Sequence, residues 1–244
     1  MDNLSISAAS GMRARMESLD LLANNVANAS TGGYKADREF YSLFVGEEAS
    51  GDPVTGELPA LPVIESQWVD HSQGNLKNTA NPLDLAIDGE GYFPVQTPNG
   101  VRYTRNGSLR VSPTGTLATS DGRNVLGTNG APITLEPNLE IEVARDGTVT
   151  QASQVAGQIG LTAFDANAVR KAGFNYYTPA AGTTPRPATG AILQGKLEES
   201  NVGAAESAVR LVAIMRQFEM LQKAMSIGNE LNRRAIEEVA KVAA

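Results

Sequence analysis

The sequence predicts an α+β protein in which N- and C-terminal α-helices form a coiled-coil-like stalk around a central all-β domain of short strands. Two observations predict this fold class. Apolar residues recur every three or four positions near both ends of the chain, and closely spaced turn signals divide the middle into short β-type runs. We expect a terminal helical domain of residues 1–45 and 196–244, a connecting loop and extended region of residues 46–82, and a β-rich outer domain of residues 83–195.

The N-terminal helix is predicted over residues 3–28. Asp2 or Asn3 can cap its start, and Gly32-Gly33 ends it. One helix face carries a stripe of apolar side chains, and Leu22 with Ala27 forms a second, partly apolar edge. The stripe consists of Leu4, Ala8, Met12, Met16, Leu19, Ala23 and Val26.

The C-terminal helix carries a longer stripe. Alternating steps of three and four residues from Leu211 meet an apolar side chain at eight of ten positions, as in a coiled-coil seam. Four acidic residues each precede a basic residue by four positions, which supports a helix. The stripe positions are Leu211, Ile214, Phe218, Leu221, Met225, Gly228, Asn232, Ala235, Val239 and Val242. The charged pairs are Glu206/Arg210, Glu219/Lys223, Glu230/Arg234 and Glu237/Lys241. A second partly apolar edge contains Val209, Val212, Met215 and Met220.

Between the helices, residues 46–62 are rich in turn residues and show no period, so we expect a loop there. From Leu83 onward, short runs such as LDLAI, YFPVQ, VRYTR, NVLG and PITL alternate with turns such as Asn99-Gly100 and Asn106-Gly107. Asn-Gly accepts the positive φ angles of tight hairpins. The spacing predicts a meander of short strands in a barrel or sandwich, followed by a Pro/Thr/Gly-rich stretch at residues 178–190 that leads to the C-terminal helix.

Charge and composition exclude several classes of protein. The formal net charge is −7, of which residues 46–195 carry −6, so no basic stripe is available to bind nucleic acid. The chain has no cysteine, which excludes disulfides and sulfur-ligated metals. No apolar run is long enough to cross a bilayer, and the N-terminus lacks the pattern of a secretory signal peptide.

Both ends of the chain are nearly neutral and present an apolar stripe, so we expect the two helices to pair with each other as an antiparallel stalk. Each helix would still expose its second apolar edge, and an identical subunit is the simplest partner for that edge. The residues that we predict to form the assembly interface are Met12, Met16, Leu19, Val26, Leu211, Ile214, Phe218, Leu221 and Met225.

The segment NNVANASTGGYK, residues 24–35, resembles the N-terminal signature of the flagellar rod, hook and hook-associated family. Four further blocks are similar to rod members and occur in the same order: SQGNLKNTANPLDLAIDGEGYF, YTRNGSLRVSPTGTLATSDGRNVLG, IEVARDGTVTQ and GKLEESNVGAAESAVRLVAIMRQFEMLQKAM. The length and the form MRQFEMLQKAM favour the proximal rod branch over the distal one. The matching signature residues are Asn24, Asn25, Asn28, Thr31, Gly33, Tyr34 and Lys35.

The resemblance implies a structural subunit of the bacterial flagellar basal-body rod. Such a subunit polymerises with copies of itself and with other proximal and distal rod subunits into the helical drive shaft that transmits torque to the hook. It would be exported by the flagellar type III export apparatus without a cleaved signal peptide and would lie in the part of the rod that spans the periplasm. The terminal helices would form the inner tube, and the asparagine amides would bind backbone groups where the chain turns outward. The alternatives are a distal rod protein or a fibre or tail protein of another helical assembly.

No catalytic residue, cofactor site, metal site or small-molecule substrate is predicted. His71 is the only histidine. Asp70, His71 and Ser72 are residue types of a catalytic triad, but sequential neighbours cannot adopt triad geometry, so we interpret them as a polar loop. Gly89 and Gly91 lack the third glycine of a dinucleotide-binding loop.

Overall fold

A computed structural model describes residues 3–44, 61–137, 139–165 and 168–242. It has a helix near each end and many short strands between them, which confirms the α+β class. Helix α1 spans Asn3–Ala27 and helix α2 spans Ala204–Val242. The strands are β1 Asp37–Phe44, β2 Leu61–Val69, β3 Leu76–Asn78, β4 Leu85–Asp88, β5 Phe93–Thr97, β6 Gly100–Thr104, β7 Leu109–Val111, β8 Leu117–Thr119, β9 Ile141–Val143, β10 Thr148–Gln151, β11 Gln154–Gln158, β12 Thr162–Ala163, β13 Val169–Lys171, β14 Tyr177–Pro179, β15 Arg186–Pro187, β16 Ala191–Gln194 and β17 Lys196–Glu198.

The chain forms two compact units. The helical unit comprises Met1–Ala27, Asp37–Trp68 and Ala204–Ala244, and the β unit comprises Asn28–Ala36 and Val69–Gly203. Neither described helix combines the length and apolar character that a membrane crossing requires.

The helical unit contains a two-stranded sheet of β1 and β2 in addition to its helices. This sheet is absent from the prediction, which placed residues 37–44 in a helical domain and residues 61–69 in a connecting region. Most of the predicted loop, residues 46–62, lies outside the described residues, but positions 61 and 62 already belong to β2.

The buried face of α1 differs from the predicted stripe. Met16 and Val26 are exposed, whereas Leu22, assigned to the outer edge, is buried. The stripe was placed wrongly because three of the inward positions are not apolar, and the small residues among them allow a neighbouring helix to approach closely. The buried positions are Ala8, Gly11, Ala14, Ser18, Leu22 and Asn25.

The middle of the predicted stripe of α2 is buried or half-buried, whereas Leu211 and Asn232 on the same stripe are exposed. Ile214 is buried, and Phe218, Leu221 and Met225 on the same stripe are half-buried. A Cβ added to Gly11 of α1 would lie 3.3 Å from Cδ1 of Leu221, so the two helices are in close contact at this point. Of the predicted ion pairs, Glu230 binds Arg234 at 2.9 Å, and Glu237 instead pairs with Arg233 at 3.7 Å.

The β unit consists of small antiparallel sheets rather than one large sheet. Its largest sheet has the strand order β13-β14-β6-β5, and a second has the order β11-β10-β9. The hairpin of β5 and β6 turns where the sequence predicts: Pro98 and Asn99 connect the strands, and Gly100, opposite Thr97, has the positive φ of +95°. The predicted NVLG and PITL runs form isolated bridges, including Val95 to Val125 and Leu126 to Pro132.

The core of the β unit has two parts. The larger part is aliphatic with one phenylalanine, and the smaller part is mostly aromatic. The larger cluster includes Leu85, Ile87, Phe93, Val125, Val149 and Ile192, and the smaller one contains Tyr92, Tyr103, Phe164, Val169 and Tyr177. Strands β4 and β16 pair with each other and contribute Leu85, Ile87 and Ile192 to the larger cluster, so two distant parts of the chain meet there.

Candidate assembly surface and the motif joint

The signature asparagines lie at the end of α1, and Asn25 binds the backbone directly. Its Nδ2 donates to the carbonyl oxygen of Asp37 at 2.7 Å, and the backbone N–H of Asp37 donates to Asn25 Oδ1 at 2.9 Å. The amide therefore imitates a peptide group and holds the first residue of β1 against the helix. For Asn25, this agrees with the role predicted for the signature asparagines. Asn24 is exposed on the same helical turn.

Residues 28–33 form the turn that follows α1. The backbone N–H of Thr31 donates to the carbonyl oxygen of Asn28 at 3.0 Å, and the Thr31 hydroxyl donates to Asn28 Oδ1 at 3.3 Å. Gly33 has a φ of +67°, and a Cβ at that position would overlap the backbone of Arg105. Only glycine avoids both the strained conformation and the overlap.

Lys35, the last residue of the signature, is fully buried and forms an ion pair with the equally buried Glu198. Its Nζ also donates to the carbonyl oxygen of Ser72 at 2.7 Å. A buried ammonium group requires such partners, because removing it from water without them is costly. The end of the signature is thereby attached to β17, 163 positions away.

Glu198 is the centre of a larger cluster. Its Oε1 accepts the backbone N–H of Gly74 at 3.0 Å, its Oε2 accepts from Arg105 at 3.4 Å, and its carbonyl oxygen accepts the N–H of Gly33 at 2.7 Å. Each partner comes from a different block of the sequence. We call this group of residues the motif joint: Gly33, Lys35, Gly74, Arg105 and Glu198.

Asn201 extends the motif joint. Its Oδ1 accepts the backbone N–H of Ala36 at 2.7 Å, and its Nδ2 donates to the carbonyl oxygen of Asp70 at 2.8 Å. The backbone N–H of Asp70 also donates to the carbonyl oxygen of Ala36 at 2.8 Å. Three separate segments of the β unit are therefore fixed together by one side chain.

Burial dominates the electrostatics of the motif joint. It lowers the pKa of Lys35, although the neighbouring Glu198 acts in the opposite direction. Burial, followed by the charges of Lys35 and Arg105, lowers the pKa of His71 to about 4. His71 is therefore neutral at neutral pH, and its Nδ1 lies 2.8 Å from the hydroxyl of Tyr92.

The triad residue types at positions 70–72 are not arranged for catalysis. Asp70 Oδ1 accepts the backbone N–H of Ser72 at 3.0 Å, while His71 faces Tyr92 and Tyr177. Among the residues that the structure describes, no three His, Asp or Glu side chains are grouped closely enough to hold a metal ion.

Both helices expose large apolar side chains. On α1, Met16 is 56% exposed, while Met12 and Leu19 are half-buried. On α2, Met220 is 63% exposed and Leu211 is 36% exposed. The remaining exposed apolar side chains on the helices are Val26, Val209, Val212, Met215, Ile227 and Leu231. These six residues, together with Met16 and Met220, form a surface that we call the apolar helix edge.

A buried carboxylate within the helical unit was not predicted. Oε1 of Glu39 on β1 accepts from the Ser18 hydroxyl at 3.3 Å and pairs with Arg210. Arg210 therefore binds Glu39 rather than its predicted helical partner Glu206. Ser18 and Arg210 meet at one oxygen, while Gly11 meets Leu221, so α1 and α2 run antiparallel, as predicted.

Sequence reasoning also missed Arg105 and Glu198. Both lie in blocks quoted for the family resemblance, and the only signal is a charged residue inside an otherwise β-type run.

Three family models match this chain. They describe the flagella basal body rod protein over residues 7–35, the flagellar hook protein FlgE/F/G D1 domain over residues 86–151, and the flagellar basal body rod FlgEFG protein C-terminal region over residues 193–238.

Curated relatives cover nearly the whole chain. The flagellar basal-body rod protein FlgF of Caulobacter vibrioides is 38% identical across 99% of this chain and 100% of the relative. The chain belongs to the flagellar basal-body rod protein family. The rod protein FlgF of Mesorhizobium japonicum is 35% identical over 87% of each chain, and the rod protein FlgG of Bacillus subtilis is 31% identical over 92% of this chain and 94% of its own.

The chain is thus a structural rod protein and not an enzyme. The motif joint takes one ionic residue from each of the three segments that the rod-protein family models match: Lys35, Arg105 and Glu198. In this rod protein, the family resemblance and the buried ion cluster therefore involve the same parts of the sequence.

Proposed function

We propose that this rod protein is an FlgF-type subunit of the proximal rod, which polymerises into the helical shaft that transmits torque to the hook. The higher identity to the two FlgF proteins than to the FlgG protein supports this assignment. The partners would be copies of the chain, other proximal rod proteins and the distal rod protein.

The apolar helix edge carries the assembly proposal. A soluble monomer rarely leaves a row of large apolar side chains exposed along two helices. Burying a side chain of this kind contributes roughly 1.5–3 kcal/mol, and a helical polymer repeats the contact in every subunit. We therefore assign Met12, Met16, Leu19 and Val26 on α1 to contacts with neighbouring subunits.

The α2 residues of the predicted interface have a different place in this proposal. Ile214, Phe218, Leu221 and Met225 lie on the stripe that faces α1, whereas Leu211 is at its exposed margin. The buried positions Ser207, Ile214 and Gly228 and the half-buried Leu221 are separated by sevens, which is the spacing of a coiled-coil stalk. We propose that this stalk presents the apolar helix edge to neighbouring subunits.

We further propose that the subunit reaches the periplasmic part of the basal body through the flagellar type III export apparatus, without a cleaved signal peptide. We also propose that residues 1–45 and 196–244 form the stalk, residues 46–82 the connection and residues 83–195 the outer domain. The structure describes units with different limits: residues 28–36, 69–82 and 196–203 belong to the β unit, and residues 61–68 belong to the helical unit.

A tagged copy in isolated basal bodies tests this function. The exposed turn at Asn129-Gly130 accepts a short epitope, since nothing lies within 4 Å of a Cβ at Gly130. Antibody labelling should appear on the rod at its membrane-proximal end. Labelling at the hook-proximal end would favour the FlgG-type alternative, and absence from the basal body would overturn the proposal.

A further inference from the structure

One aromatic side chain of the β unit stands apart from the core. Phe174 is 95% exposed at the tip of the hairpin that joins β13 to β14. The tyrosines at positions 176 and 177, which follow it, are both buried. Such an exposed phenyl ring gains nothing from the fold of its own chain.

The backbone holds this ring in an unfavourable conformation. Phe174 has a φ of +51° and Asn175 a φ of +61°, in the left-handed region that is strained for a bulky residue. The neighbouring groups are fixed: Asn175 Nδ2 donates to the carbonyl oxygen of Gly32 at 2.8 Å, and the Thr104 hydroxyl donates to the carbonyl oxygen of Asn175 at 3.1 Å. The hairpin therefore presents Phe174 outward in one defined position.

An apolar groove lies elsewhere on the same unit. It has a volume of about 660 Å³, which is ample for an aromatic side chain. Leu139 at its side is 40% exposed. The apolar residues that line the groove are Pro82, Leu83, Val111, Pro113, Leu139 and Ile141. Because Phe174 is almost completely exposed, it does not occupy the groove of its own chain.

We propose that Phe174 of one subunit enters this groove on a second copy of the chain. The proposal rests on the proposed function, which requires the subunits to polymerise. A projecting side chain and its receiving groove on different surfaces make a head-to-tail contact, and such a contact repeats indefinitely when it does not close into a ring. A helical polymer has this property.

The charges around the two surfaces are complementary. Arg170 is exposed on β13, and Lys171 follows it with its Nζ 3.9 Å from the centre of the Tyr34 ring. The groove is lined by the exposed Glu136 and Glu140. Arg110 also lines the groove, but its Nε donates to the carbonyl oxygen of Thr119 at 3.3 Å. A basic hairpin would thus meet a groove with an acidic excess, which fixes the orientation of the contact.

Disulfide trapping tests the contact, because the chain has no cysteine of its own. The double variant Ala172→Cys with Pro137→Cys keeps Phe174, Glu136 and Glu140 and places one thiol beside each surface. Mild oxidation of basal bodies should give a ladder of covalent dimers, trimers and longer species, because every subunit carries both halves of the contact. Adding Phe174→Ala should reduce the ladder at least tenfold.

The matched control carries Val155→Cys in place of Ala172→Cys. Val155 is also an apolar residue on the surface, 70% exposed on β11. An equal ladder from this pair, or a ladder that persists without Phe174, would overturn the proposal. So would normal swimming by the double variant with no ladder.

Two further measurements keep the test decisive. Phe174→Gly relieves the backbone strain, so the full-length monomer should melt no earlier than the parent while the ladder is lost; a lower melting temperature would show a folding role instead. Oxidation of the purified double variant at high concentration reports the contact even if the tagged chain is absent from basal bodies. That absence would overturn the proposed function alone, whereas a purified chain without a Phe174-dependent ladder would overturn the contact.

Discussion

The helical unit and the β unit bury different kinds of residues. Inside the helical unit, α1 buries mainly small side chains such as Ala8, Gly11 and Ser18, while large apolar residues such as Met16 remain exposed. The β unit buries large aliphatic and aromatic side chains and completes its own core. It also encloses an ion cluster in which the carboxylate of Glu198 pairs with both Lys35 and Arg105.

This contrast indicates where each unit obtains its stability. Helices gain most of their stability from packing of apolar side chains, and the apolar helix edge remains exposed in the isolated helical unit. The β unit instead contains hydrogen-bonded turns and a closed core. We therefore expect the β unit to be stable alone and the helical unit to depend on neighbouring subunits, and four predictions test this difference.

The largest effect is expected at the motif joint. Glu198→Gln removes a fully buried carboxylate and leaves Lys35 and Arg105 without their counter-charge. Breaking one partner of a buried ion pair costs about 3–5 kcal/mol. Urea unfolding, followed by the near-ultraviolet circular dichroism of the tyrosines, should show this loss in the β unit.

The neighbouring Glu199 is the control for this substitution. It is more than one third exposed and lies 3.9 Å from Lys77. Because an exposed ion pair contributes at most about 1 kcal/mol, Glu199→Gln should be nearly neutral. Equal destabilisation by the two substitutions would show that the buried cluster does not carry special stability.

A smaller effect on stability is expected in the helical unit, with a larger effect on assembly. Leu221→Asp places a charge where the half-buried Leu221 meets Gly11, and the lost apolar burial alone costs about half of the roughly 1.5–3 kcal/mol of a fully buried leucine. Limited proteolysis of the dilute monomer should then trim α1 and α2 faster, while residues 69–203 stay intact. The cells should not swim, since the stalk fails to form.

Met220→Asp and Glu219→Ala separate pairing within the chain from contacts between chains. Met220 is exposed, so its substitution should leave monomer proteolysis unchanged and still abolish swimming. Glu219 is an exposed charged residue, and its removal should be close to neutral. Normal swimming with Met220→Asp would argue against the apolar helix edge as an assembly surface.

The smallest effect concerns acid pH. The pKa of His71 is lowered to about 4 in the folded β unit, against 6.5 for the free side chain. Between these values the unfolded chain binds a proton that the folded chain does not, so stability falls as pH falls from 6.5 towards 4. His71 is partly exposed, and we expect about 1–2 kcal/mol rather than the full shift.

Replacing His71 by Gln should flatten this part of the pH dependence relative to the parent protein. Denaturant midpoints at pH 7 and pH 4.5 provide the measurement. At neutral pH, His71→Ala and Asp70→Asn should both leave swimming intact. An unchanged pH profile in His71→Gln would assign the acid sensitivity to other groups.

The comparison also explains how far sequence reasoning succeeds. The central part of the α2 stripe and the turn between β5 and β6 were predicted correctly because apolar periodicity and turn chemistry are local signals. The inner face of α1 was assigned wrongly because Gly11, Ser18 and Asn25 carry no apolar signal. Strands β1 and β2 were missed because the pairing of two segments separated along the chain decides them, rather than either segment alone.

The residues of the candidate site also differ in how far the sequence predicts them. The signature residues were found by resemblance, and the role of Asn25 follows from the geometry of an amide at a helix end. The partner of Lys35 was not predictable, because any of the acidic residues in the sequence could have paired with it. Only the path of the chain brings Glu198 to that position.

The separation of Lys35 and Glu198 also affects the order of events during folding. Their contact spans 163 positions, so the segment that carries the signature cannot be fixed until nearly the whole chain is available. Contacts between distant positions carry the entropy cost of closing a long loop and slow folding. Until β17 arrives, Lys35 has no buried carboxylate beside it, and the N-terminal segment stays in water. A chain that emerges from its N-terminus first would therefore fold its β unit late, as one closing event.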